Sequence, residues 1–415
     1  MQLAWQIFLF CVISFKLCTF LSCQPNRPQE AKLTAGIWRF AIQTAGGEVP
    51  FQVDFQQSED KKWRAYILNG KERLLLDEIE VNKDSIKMTL HVFNAALVGK
   101  LNDKSIKGRW IKYDYPDYSL PFEATAEVNY RFQETNTPAR FNFSGKWKVQ
   151  FTAKNGKSYP AVGIFEQEGK KITGTFLTTT GDYRFLEGIV EDKQLKLSTF
   201  DGAHAFLFKA SLKDEQTLTG EFWAGKTGFE EWVATKNDTA SLPNAEKLTF
   251  LKEGYNEFNF TFPNLDKQPV SLKDAKYKNK VVIVQLFGSW CPNCRDETEF
   301  LAPWYAQNKH RGVEIIALAY ERSADFNKAK ERVRKVKEKL KAEYDFLIAG
   351  VSNKNEASKT LPMLNQVLAF PTTIFIDKKG QVRKIHTGFN GPGTGKYYEQ
   401  FVKEFNDFVN QLLKE

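Results

Sequence analysis

Residues 281–294 read VVIVQLFGSWCPNC, and this stretch decides the fold of the C-terminal part of the chain. Its first seven residues are almost all apolar and rich in β-branched types, which predicts a buried strand. The residues that follow Cys294 have the pattern of a helix, so the two cysteines lie at a strand-to-helix turn. There the helix dipole and the unpaired N–H groups stabilise a thiolate on Cys291. Cys294 lies about one helical turn away, within reach of a disulfide, and the pattern indicates a redox-active thiol pair.

A zinc site and two inert thiols are the alternatives to a redox pair. Zinc needs four ligands and usually takes a second pair of cysteines or histidines. The folded part of the chain offers no cysteine besides this pair, and its histidines are scattered at positions 91, 204, 310 and 386. The sequence therefore favours redox chemistry, and we expect neither a metal ion nor a cofactor.

The N-terminal segment, residues 1–22, has the composition of an export signal rather than of a folded element. Residues 3–22 are mostly apolar, and residues 23–32 form a polar, proline-containing tether. The tripeptide Leu21-Ser22-Cys23 resembles a bacterial lipobox, in which Cys23 would become the lipidated first residue. We therefore expect a membrane-anchored lipoprotein of the bacterial periplasm. A retained signal anchor and a soluble secreted form stay open as alternatives.

The distribution of the five cysteines agrees with this compartment. Cys11 and Cys18 lie within the export segment and Cys23 ends it, which leaves Cys291 and Cys294 for the folded part. This count excludes a scaffold of structural disulfides and makes the remaining pair the reactive one.

Length and charge narrow the class of protein further. A chain of 415 residues exceeds one ordinary domain, and its composition is that of a folded protein. The net charge of +9 arises from lysines scattered among acidic residues, and the densest basic run, residues 328–339, mixes both signs in a helical pattern. Such a run is typical of a solvated helix face, so the sequence does not favour nucleic-acid binding.

The part of the chain before residue 236 alternates between apolar and polar types, as in residues 147–151 and 206–212. Short alternating runs bounded by Gly, Asn, Asp or Lys predict β structure throughout. Three pairs of segments also resemble each other at an offset of about 110 residues, which indicates two copies of one β unit. The pairs are 36–40 with 145–149, 76–80 with 186–190, and 106–110 with 218–222.

This pattern predicts two tandem all-β domains, barrels or sandwiches related by internal duplication, at residues 33–135 and 140–236. Four of their tryptophans are expected to fill the cores, namely Trp38, Trp110, Trp147 and Trp223. A linker at 237–254 then leads to an α/β domain at 255–415. There a βαβ unit followed by a β-hairpin and a terminal helix indicates a mixed sheet covered on both faces.

The last domain, from about residue 258 to the C-terminus, resembles the TlpA/ResA branch of the thioredoxin fold. The members of that branch are exported thiol–disulfide oxidoreductases that also resemble the peroxiredoxin superfamily. The matching motifs are FGSWCPNC at 287–294, AFPTT at 369–373 and FIDKKGQV at 375–382. The resemblance implies a thioredoxin-like fold for this domain and thiol–disulfide exchange as its activity.

The resemblance also implies a role for each residue of the site. Cys291 is expected to be the exposed nucleophile and Cys294 the resolving thiol, with a disulfide between them in the oxidised state. Pro371 matches the family's cis-proline, so the loop of Phe370 and Pro371 would face the disulfide and bind an extended substrate. Trp290 would shield the site, with packing alone as its alternative role.

Glu297 occupies the position of the acidic residue that tunes thiol protonation in TlpA/ResA-like proteins. It lies three residues after Cys294, hence on the same helix face, and its carboxylate could take the proton from that thiol. An ordinary glutamate favoured by the helix dipole is the alternative. Gln285 stands where thioredoxin itself has a buried aspartate, so the proton relay falls to Glu297, to water or to no group.

The sequence therefore predicts a cell-envelope thiol–disulfide oxidoreductase that reduces disulfides of exported proteins through a cycle of Cys291 and Cys294. Its expected partners are those proteins, a membrane thiol or electron donor, and the membrane itself through the lipid on Cys23. One alternative is a binding or scaffold protein whose β domains hold a ligand or a partner. A lesser alternative is a thiol-dependent peroxidase, although residues 286–290 lack the Pro and Thr that precede the reactive cysteine in that superfamily.

Overall fold

The computed structural model describes residues 32–415, apart from residues 77, 91, 92, 134 and 256. The predicted export signal, nearly all of the tether and Cys23 lie outside the described residues. Within the described part of the chain, three units follow one another: two β barrels and an α/β domain.

The first unit is an antiparallel meander whose last strand pairs back onto its first. Its strands are Gly36–Thr44 (β1), Gly47–Gln57 (β2), Trp63–Asn69 (β3), Glu72–Leu76 (β4), Ile79–Asn82 (β5), Ser85–Leu90 (β6), Ala95–Asn102 (β7), Ser105–Lys112 (β8) and Ser119–Ala126 (β9). Their spatial order is β4-β3-β2-β1-β9-β8-β7-β6-β5, which forms a barrel with its seam between β4 and β5. Every second residue of β9 is buried, as expected for a strand with one face toward a core.

The second unit is a barrel in which hydrogen-bonded strands close the whole circumference. Its strands are Gly145–Ala153 (β10), Ser158–Glu168 (β11), Lys171–Thr178 (β12), Gly181–Asp182 (β13), Leu186–Glu191 (β14), Gln194–Phe200 (β15), Ala205–Asp214 (β16), Thr217–Ala224 (β17) and Gly228–Lys236 (β18). Closure follows because β11 pairs with both β10 and β12, while the short β13 only extends β12. Aromatic rings fill the interior: Phe208 stacks on Phe222 with centroids 4.4 Å apart, and Phe176 lies 5.4 Å from Trp232.

The two barrels share part of their packing. Phe51 of β2 stacks on Phe200 of β15 with ring centroids 4.4 Å apart, and Phe200 belongs to the core of the first barrel. Arg131 is 5% exposed and donates to the Pro50 carbonyl oxygen at 2.9 Å and to Ser198 Oγ at 3.1 Å. The interface between the barrels is therefore a continuation of the first barrel's core.

The tryptophans test the predicted cores. Three of them are 0% exposed, namely Trp38, Trp110 and Trp147. The prediction for Trp223 is wrong: side chains alternate along β17, so Phe222 points into the second barrel and Trp223 points out of it. Trp223 packs on the tight turn at Gly46 of the first barrel, while Trp232 takes the core position.

The third unit is an α/β domain built on a five-stranded mixed sheet. Its strands are Thr261–Pro263 (β19) and Pro269–Ser271 (β20), which form a separate hairpin, then Val281–Phe287 (β21), Val313–Glu321 (β22), Asp345–Val351 (β23), Thr372–Ile376 (β24) and Val382–Thr387 (β25). Its helices are Pro292–Asn308 (α1), Phe326–Lys339 (α2), Lys354–Thr360 (α3) and Lys396–Lys414 (α4). Short 3₁₀ helices lie at Ala245–Lys247, Lys309–Arg311 and Pro392–Thr394.

The sheet order β23-β22-β21-β24-β25 places β21 at the centre. This strand is parallel to β22 and antiparallel to β24, and all of its residues are buried. α1 packs on α4 through Trp304 and Phe405, whose rings lie 5.0 Å apart and perpendicular. The mixed sheet agrees with the predicted α/β domain, and its central strand ends directly before the two cysteines.

One helix was not predicted. α3 has the polar sequence KNEASKT, and Ala357 is its only buried residue, so it carries no apolar periodicity. Its one signal is the N-cap Asn353, whose side chain accepts the N–H groups of Asn355 and Glu356. Among the described residues, no helix has the length and apolar character needed to cross a membrane.

Candidate active site

The two cysteines lie at the start of α1, directly after the central strand β21. Cys291 is the N-cap residue with an extended backbone (φ −103°, ψ 114°), and Pro292 begins the helix. The N–H of Cys294 donates to Cys291 Sγ at 3.2 Å, an N-cap hydrogen bond made to sulfur. The sulfurs form a disulfide across a Cα–Cα distance of 5.2 Å. In the reduced protein the same N–H group and the helix dipole would stabilise a thiolate on Cys291.

The loop before β24 faces the disulfide. Its Phe370–Pro371 peptide bond is cis, and the Phe370 carbonyl oxygen lies 3.3 Å from Cys291 Sγ. Trp290 packs edge-on against the Phe370 ring at a centroid distance of 5.8 Å, and its indole N–H donates to the Tyr320 carbonyl oxygen at 2.9 Å. The structure thus brings the predicted residues of the substrate loop into contact with the cysteine turn.

Glu297 lies on the inner face of α1 and is 1% exposed. One carboxylate oxygen accepts a hydrogen bond from Gln285 Nε2 at 2.7 Å, and the other accepts one from the Thr373 hydroxyl. Burial raises the pKa of Glu297 to about 7, although these two hydrogen bonds act in the opposite direction. Gln285 Nε2 also lies 3.5 Å from the Cys294 carbonyl oxygen, so one amide connects Glu297 to the backbone of the second cysteine. A carboxyl group with a pKa near neutrality can both accept and return a proton.

A second buried carboxyl group, Glu321, was missed by sequence reasoning. It ends β22, is 3% exposed, and accepts hydrogen bonds from the Ser289 N–H at 2.8 Å and the Ser289 hydroxyl at 2.6 Å. Burial raises the pKa of Glu321, while the bonds from Ser289 lower it. The pair anchors the turn that carries Trp290 and Cys291. The signal in the sequence was a glutamate that ends a largely apolar strand, since a buried charge needs a partner.

The barrels also contact the start of α1, and no motif indicated this. Asn293, between the two cysteines, donates to the Asp182 carbonyl oxygen of the second barrel at 3.3 Å. Asp296 forms a buried ion pair with Arg184, which also pairs with Glu72 of the first barrel. Residues from all three units therefore meet beside the dithiol.

These features define a class of protein. A cysteine pair lies at the N-terminus of a helix after the central strand of a mixed sheet, and a loop with a cis-proline faces it. The sulfur chemistry open to such a pair is reversible exchange between dithiol and disulfide. The fold and the site are those of a thioredoxin-fold thiol–disulfide oxidoreductase.

Comparison with known proteins agrees with this class. The Redoxin family model matches residues 252–401. The thiol-disulfide oxidoreductase ResA of Bacillus thuringiensis subsp. konkukian is 31% identical over 160 residues, which cover 38% of this chain and 80% of that protein. The ResA of Halalkalibacterium halodurans is 26% identical over 158 residues, covering 38% of this chain and 77% of that protein. Through its C-terminal domain the chain belongs to the ResA family of thiol–disulfide oxidoreductases, and it is an oxidoreductase.

Among solved structures, this chain is similar to a thioredoxin-family thiol:disulfide interchange protein from Chlorobium tepidum TLS. Its TM-score is 0.30 at 20% identity, and the match covers 39% of this chain and 98% of that chain. The two barrels lie outside the residues that the Redoxin model matches. That model therefore describes the catalytic domain alone.

Proposed function

We propose that this enzyme reduces disulfides of exported proteins by cycling Cys291 and Cys294 between dithiol and disulfide. The observation that carries the proposal is the position of Cys291 Sγ, which accepts the N–H of Cys294 and lies 3.3 Å from the Phe370 carbonyl oxygen. The sulfur that would begin the reaction thus lies where helix N–H groups stabilise negative charge. The loop beside it presents backbone groups that can align an extended substrate.

In the first half of the cycle, the Cys291 thiolate attacks one sulfur of the substrate disulfide. The substrate S–S bond breaks, and its other sulfur leaves with the electron pair and takes a proton from water. A mixed disulfide now joins Cys291 to the substrate. The loop of Phe370 and Pro371 would hold the substrate backbone beside that bond.

In the second half, Cys294 attacks Cys291 Sγ and releases the second substrate sulfur. The Cys294 thiol must lose a proton, and Glu297, on the same face of α1 with its pKa raised to about 7, is suited to accept it and pass it to the leaving sulfur. The products are a reduced substrate and the Cys291–Cys294 disulfide, which is the state of the structure. Two electrons pass from enzyme to substrate, and a membrane thiol donor would return them.

Reduction of insulin disulfides by the wild-type protein and by Cys291→Ser tests the activity. The variant is expected to lose it, and Cys294→Ser is expected to accumulate the mixed disulfide. Equal rates for the wild type and Cys291→Ser would refute the proposed cycle. The direction is tested by redox equilibrium with glutathione: a potential near about −270 mV supports a reductant, and one near about −120 mV makes the enzyme an oxidant.

The proposed location is the bacterial cell envelope, with Cys23 as a lipid anchor. Its support is the apolar segment 3–22, which ends in Leu21-Ser22 directly before Cys23. In addition, the folded part has no cysteine besides Cys291 and Cys294. Incorporation of labelled palmitate into the wild type and not into Cys23→Ala is the expected result. Unlabelled protein that still fractionates with membranes would favour a retained signal anchor, and unlabelled soluble protein would favour secretion.

The internal duplication of the barrels is also proposed. Trp38 in β1 and Trp147 in β10 each donate the indole N–H to the carbonyl oxygen four residues earlier, at 3.0 and 2.9 Å. Both strands begin at a glycine with a positive φ, 113° at Gly36 and 110° at Gly145. Experimental structures of the two barrels that superimpose only with these strands out of register would contradict the duplication.

The alternative of a ligand-binding protein is not favoured by the second barrel, whose interior is filled by aromatic rings such as Phe176 and Phe208. A barrel of this size holds a ligand only when its interior is left open. The peroxidase alternative predicts consumption of hydrogen peroxide that depends on Cys291, which the same Cys291→Ser variant tests.

A further inference from the structure

Arg184 joins the three units of the chain in a buried group of charges, which we call the Arg184 cluster: Arg184, Glu72, Asp201 and Asp296. Arg184 lies two residues after β13, and its side chain is 5% exposed. Its guanidinium pairs with Glu72 of the first barrel and with Asp296 of α1, and lies 3.6 Å from Asp201 of the second barrel. These carboxylate side chains are 8%, 6% and 1% exposed, respectively. One cation therefore contacts carboxylates from all three units where water hardly reaches.

The Arg184 cluster fixes how the barrels dock on α1. A shifted docking that separated these groups while keeping them buried would leave charges without partners, which is strongly unfavourable. Neighbouring Asp182 adds a hydrogen bond between the second barrel and the α/β domain, because its carboxylate accepts the backbone N–H of Gly391 at 2.5 Å. The cluster thus specifies one relative position of the second barrel and the catalytic helix.

The second barrel covers one end of the cysteine turn. Gly181 has a φ of +135°, and a Cβ at this position would lie 2.2 Å from Asn293 Nδ2, so only glycine permits so close an approach. Asn293 Nδ2 donates to the carbonyl oxygens of Asp182 and Phe389 at 3.3 and 3.4 Å. Asn293, the second of the two residues between the cysteines, is therefore held beneath β13.

The first barrel approaches the other end of the same turn. The Arg322 guanidinium lies 4.6 Å from the Trp290 ring centroid and 4.5 Å from the ring of Tyr115, which follows β8 in the first barrel. Both distances suit attraction between a cation and an aromatic face. The turn from Trp290 to Asn293 is thus flanked by a different barrel at each end.

We propose that the two barrels are a cover that restricts Cys291 to small disulfides and to disulfides in extended segments, and that the Arg184 cluster keeps this cover docked. In the docked arrangement Cys291 is 5% exposed and Cys294 is 0% exposed. Exchange requires the thiolate to reach a target sulfur, so its rate depends on access as well as on ionisation. Barrels held against both ends of the cysteine turn would leave a bulky partner less room to reach that thiolate than they leave a small disulfide. The inference rests on the proposed reduction by Cys291.

The test compares two reagents with the same reactive group on the reduced full-length protein: N-ethylmaleimide and a maleimide that carries a long polyethylene glycol chain. Loss of unmodified Cys291 is followed by peptide mass spectrometry, so the other cysteines do not interfere. Both reagents consume the same thiolate, so the ratio of their rates, corrected by the ratio for free glutathione, reports access alone. In the wild type we expect the polymer reagent to react at least about tenfold more slowly.

Asp296→Asn is the main variant, because Arg184 keeps Glu72 and Asp201 as partners and the fold is expected to persist. Arg184→Gln removes the cation and is the stronger variant. Both should raise the rate with the polymer reagent, relative to N-ethylmaleimide, by about tenfold, and raise insulin reduction relative to reduction of oxidised glutathione by a similar factor. Arg140→Gln is the control and should leave the ratio unchanged, since the Arg140 side chain is 70% exposed.

A wild type that reacts equally fast with both reagents overturns the inference, and so does an unchanged ratio in Asp296→Asn. If the ratio rises in the variants while neither insulin nor oxidised glutathione is reduced, the proposed function fails and the cover stands. If both disulfides are reduced and the ratio stays constant, the function stands and the cover fails.

Discussion

The α/β domain and the second barrel place their buried ionisable side chains differently. In the α/β domain, polar groups lie in the interior: Gln285, Glu297 and Glu321 are 0%, 1% and 3% exposed. The interior of the second barrel is aromatic, and the buried arginines of the β half, Arg131 and Arg184, lie where one unit meets another. The difference assigns the redox chemistry to the α/β domain and the control of substrate access to Cys291 to the two barrels.

The largest expected effect comes from removing the nucleophile, which should abolish activity in the α/β domain without changing the stability of the barrels. Cys291→Ser should lower the rate of reduction of oxidised glutathione by on the order of a thousandfold or more, because a hydroxyl replaces the attacking thiolate. The thermal unfolding of the barrels should stay as in the wild type, measured by calorimetry on the same sample. Retained activity in Cys291→Ser would contradict the assignment of the redox chemistry to the α/β domain.

A substitution in the core of the second barrel should have the opposite effect: it should lower stability and leave the activity unchanged. Phe176 is 0% exposed and contacts several rings, so Phe176→Ala leaves a cavity and should lower the free energy of unfolding by about 3–5 kcal/mol. The rate with oxidised glutathione at low temperature should stay close to that of the wild type. The control is Val233→Ala, since Val233 is 49% exposed on β18 and should change stability by no more than about 0.5 kcal/mol. Equal denaturation midpoints for the two variants would show that the barrel interior is not packed.

Glu297 gives the α/β domain a distinctive dependence on pH. Its pKa is raised from 4.5 to about 7, so the folded protein binds this proton more tightly than the unfolded chain does. The resulting stability is fully present below pH 4.5 and is lost as the pH rises through about 7. Over this range the free energy of unfolding of the wild type should fall by about 3 kcal/mol more than that of Glu297→Gln.

Denaturant unfolding of the oxidised protein at a series of pH values measures this difference. Glu299→Gln is the matched control, because the Glu299 side chain is 41% exposed on the same helix and its variant should follow the wild-type profile. Parallel profiles for the wild type and Glu297→Gln would show that Glu297 does not hold a raised pKa. The rate at which Cys294 resolves the mixed disulfide should lose, in Glu297→Gln, the part of its pH dependence that arises from Glu297.

The smallest expected effect concerns the turn before Cys291. Ser289→Ala removes one of the two hydrogen bonds to buried Glu321 and should lower the free energy of unfolding by about 1–2 kcal/mol. Ser85→Ala, at an exposed serine of the first barrel, should change it by no more than about 0.5 kcal/mol. Equal denaturation midpoints for the two variants would mean that Glu321 does not depend on Ser289.

The catalytic domain was predictable from the sequence because its signals are local. A β-branched apolar run, two cysteines two residues apart and a helical segment follow one another within residues 281–308, so the signals for the strand, the turn and the helix all lie close together in the sequence. Glu297 was found for the same reason, since helical spacing places it on the face of Cys294. The barrels were predictable as two β units, but the choice between barrel and sandwich stayed open, because alternation shows that a strand has one buried face and not how the strands close.

The contacts between units could not be predicted, because they join residues that are distant in sequence. Arg184 lies 112 positions from Glu72 and 112 positions from Asp296, and each of the three is an ordinary charged residue within its own segment. Trp223 failed for a related reason: its neighbour Phe222 had already taken the inward position on β17. A single sequence shows the period of a strand, while the choice of which face is covered by another unit depends on the tertiary structure.

Asn293 has a consequence for how this enzyme can change over evolution. The two residues between the cysteines adjoin both sulfurs and so bear on the reduction potential of the pair. In this chain one of them is also bound to the carbonyl oxygens of Asp182 and Phe389 and lies under Gly181. A substitution of Asn293 would therefore alter the reduction potential of the disulfide and, in the same step, weaken the contact between the second barrel and α1. A lineage that changes the reduction potential through this position must also restore the contact with the second barrel. The reduction potential of the cysteine pair and the surface of the barrel beside it are therefore expected to change together.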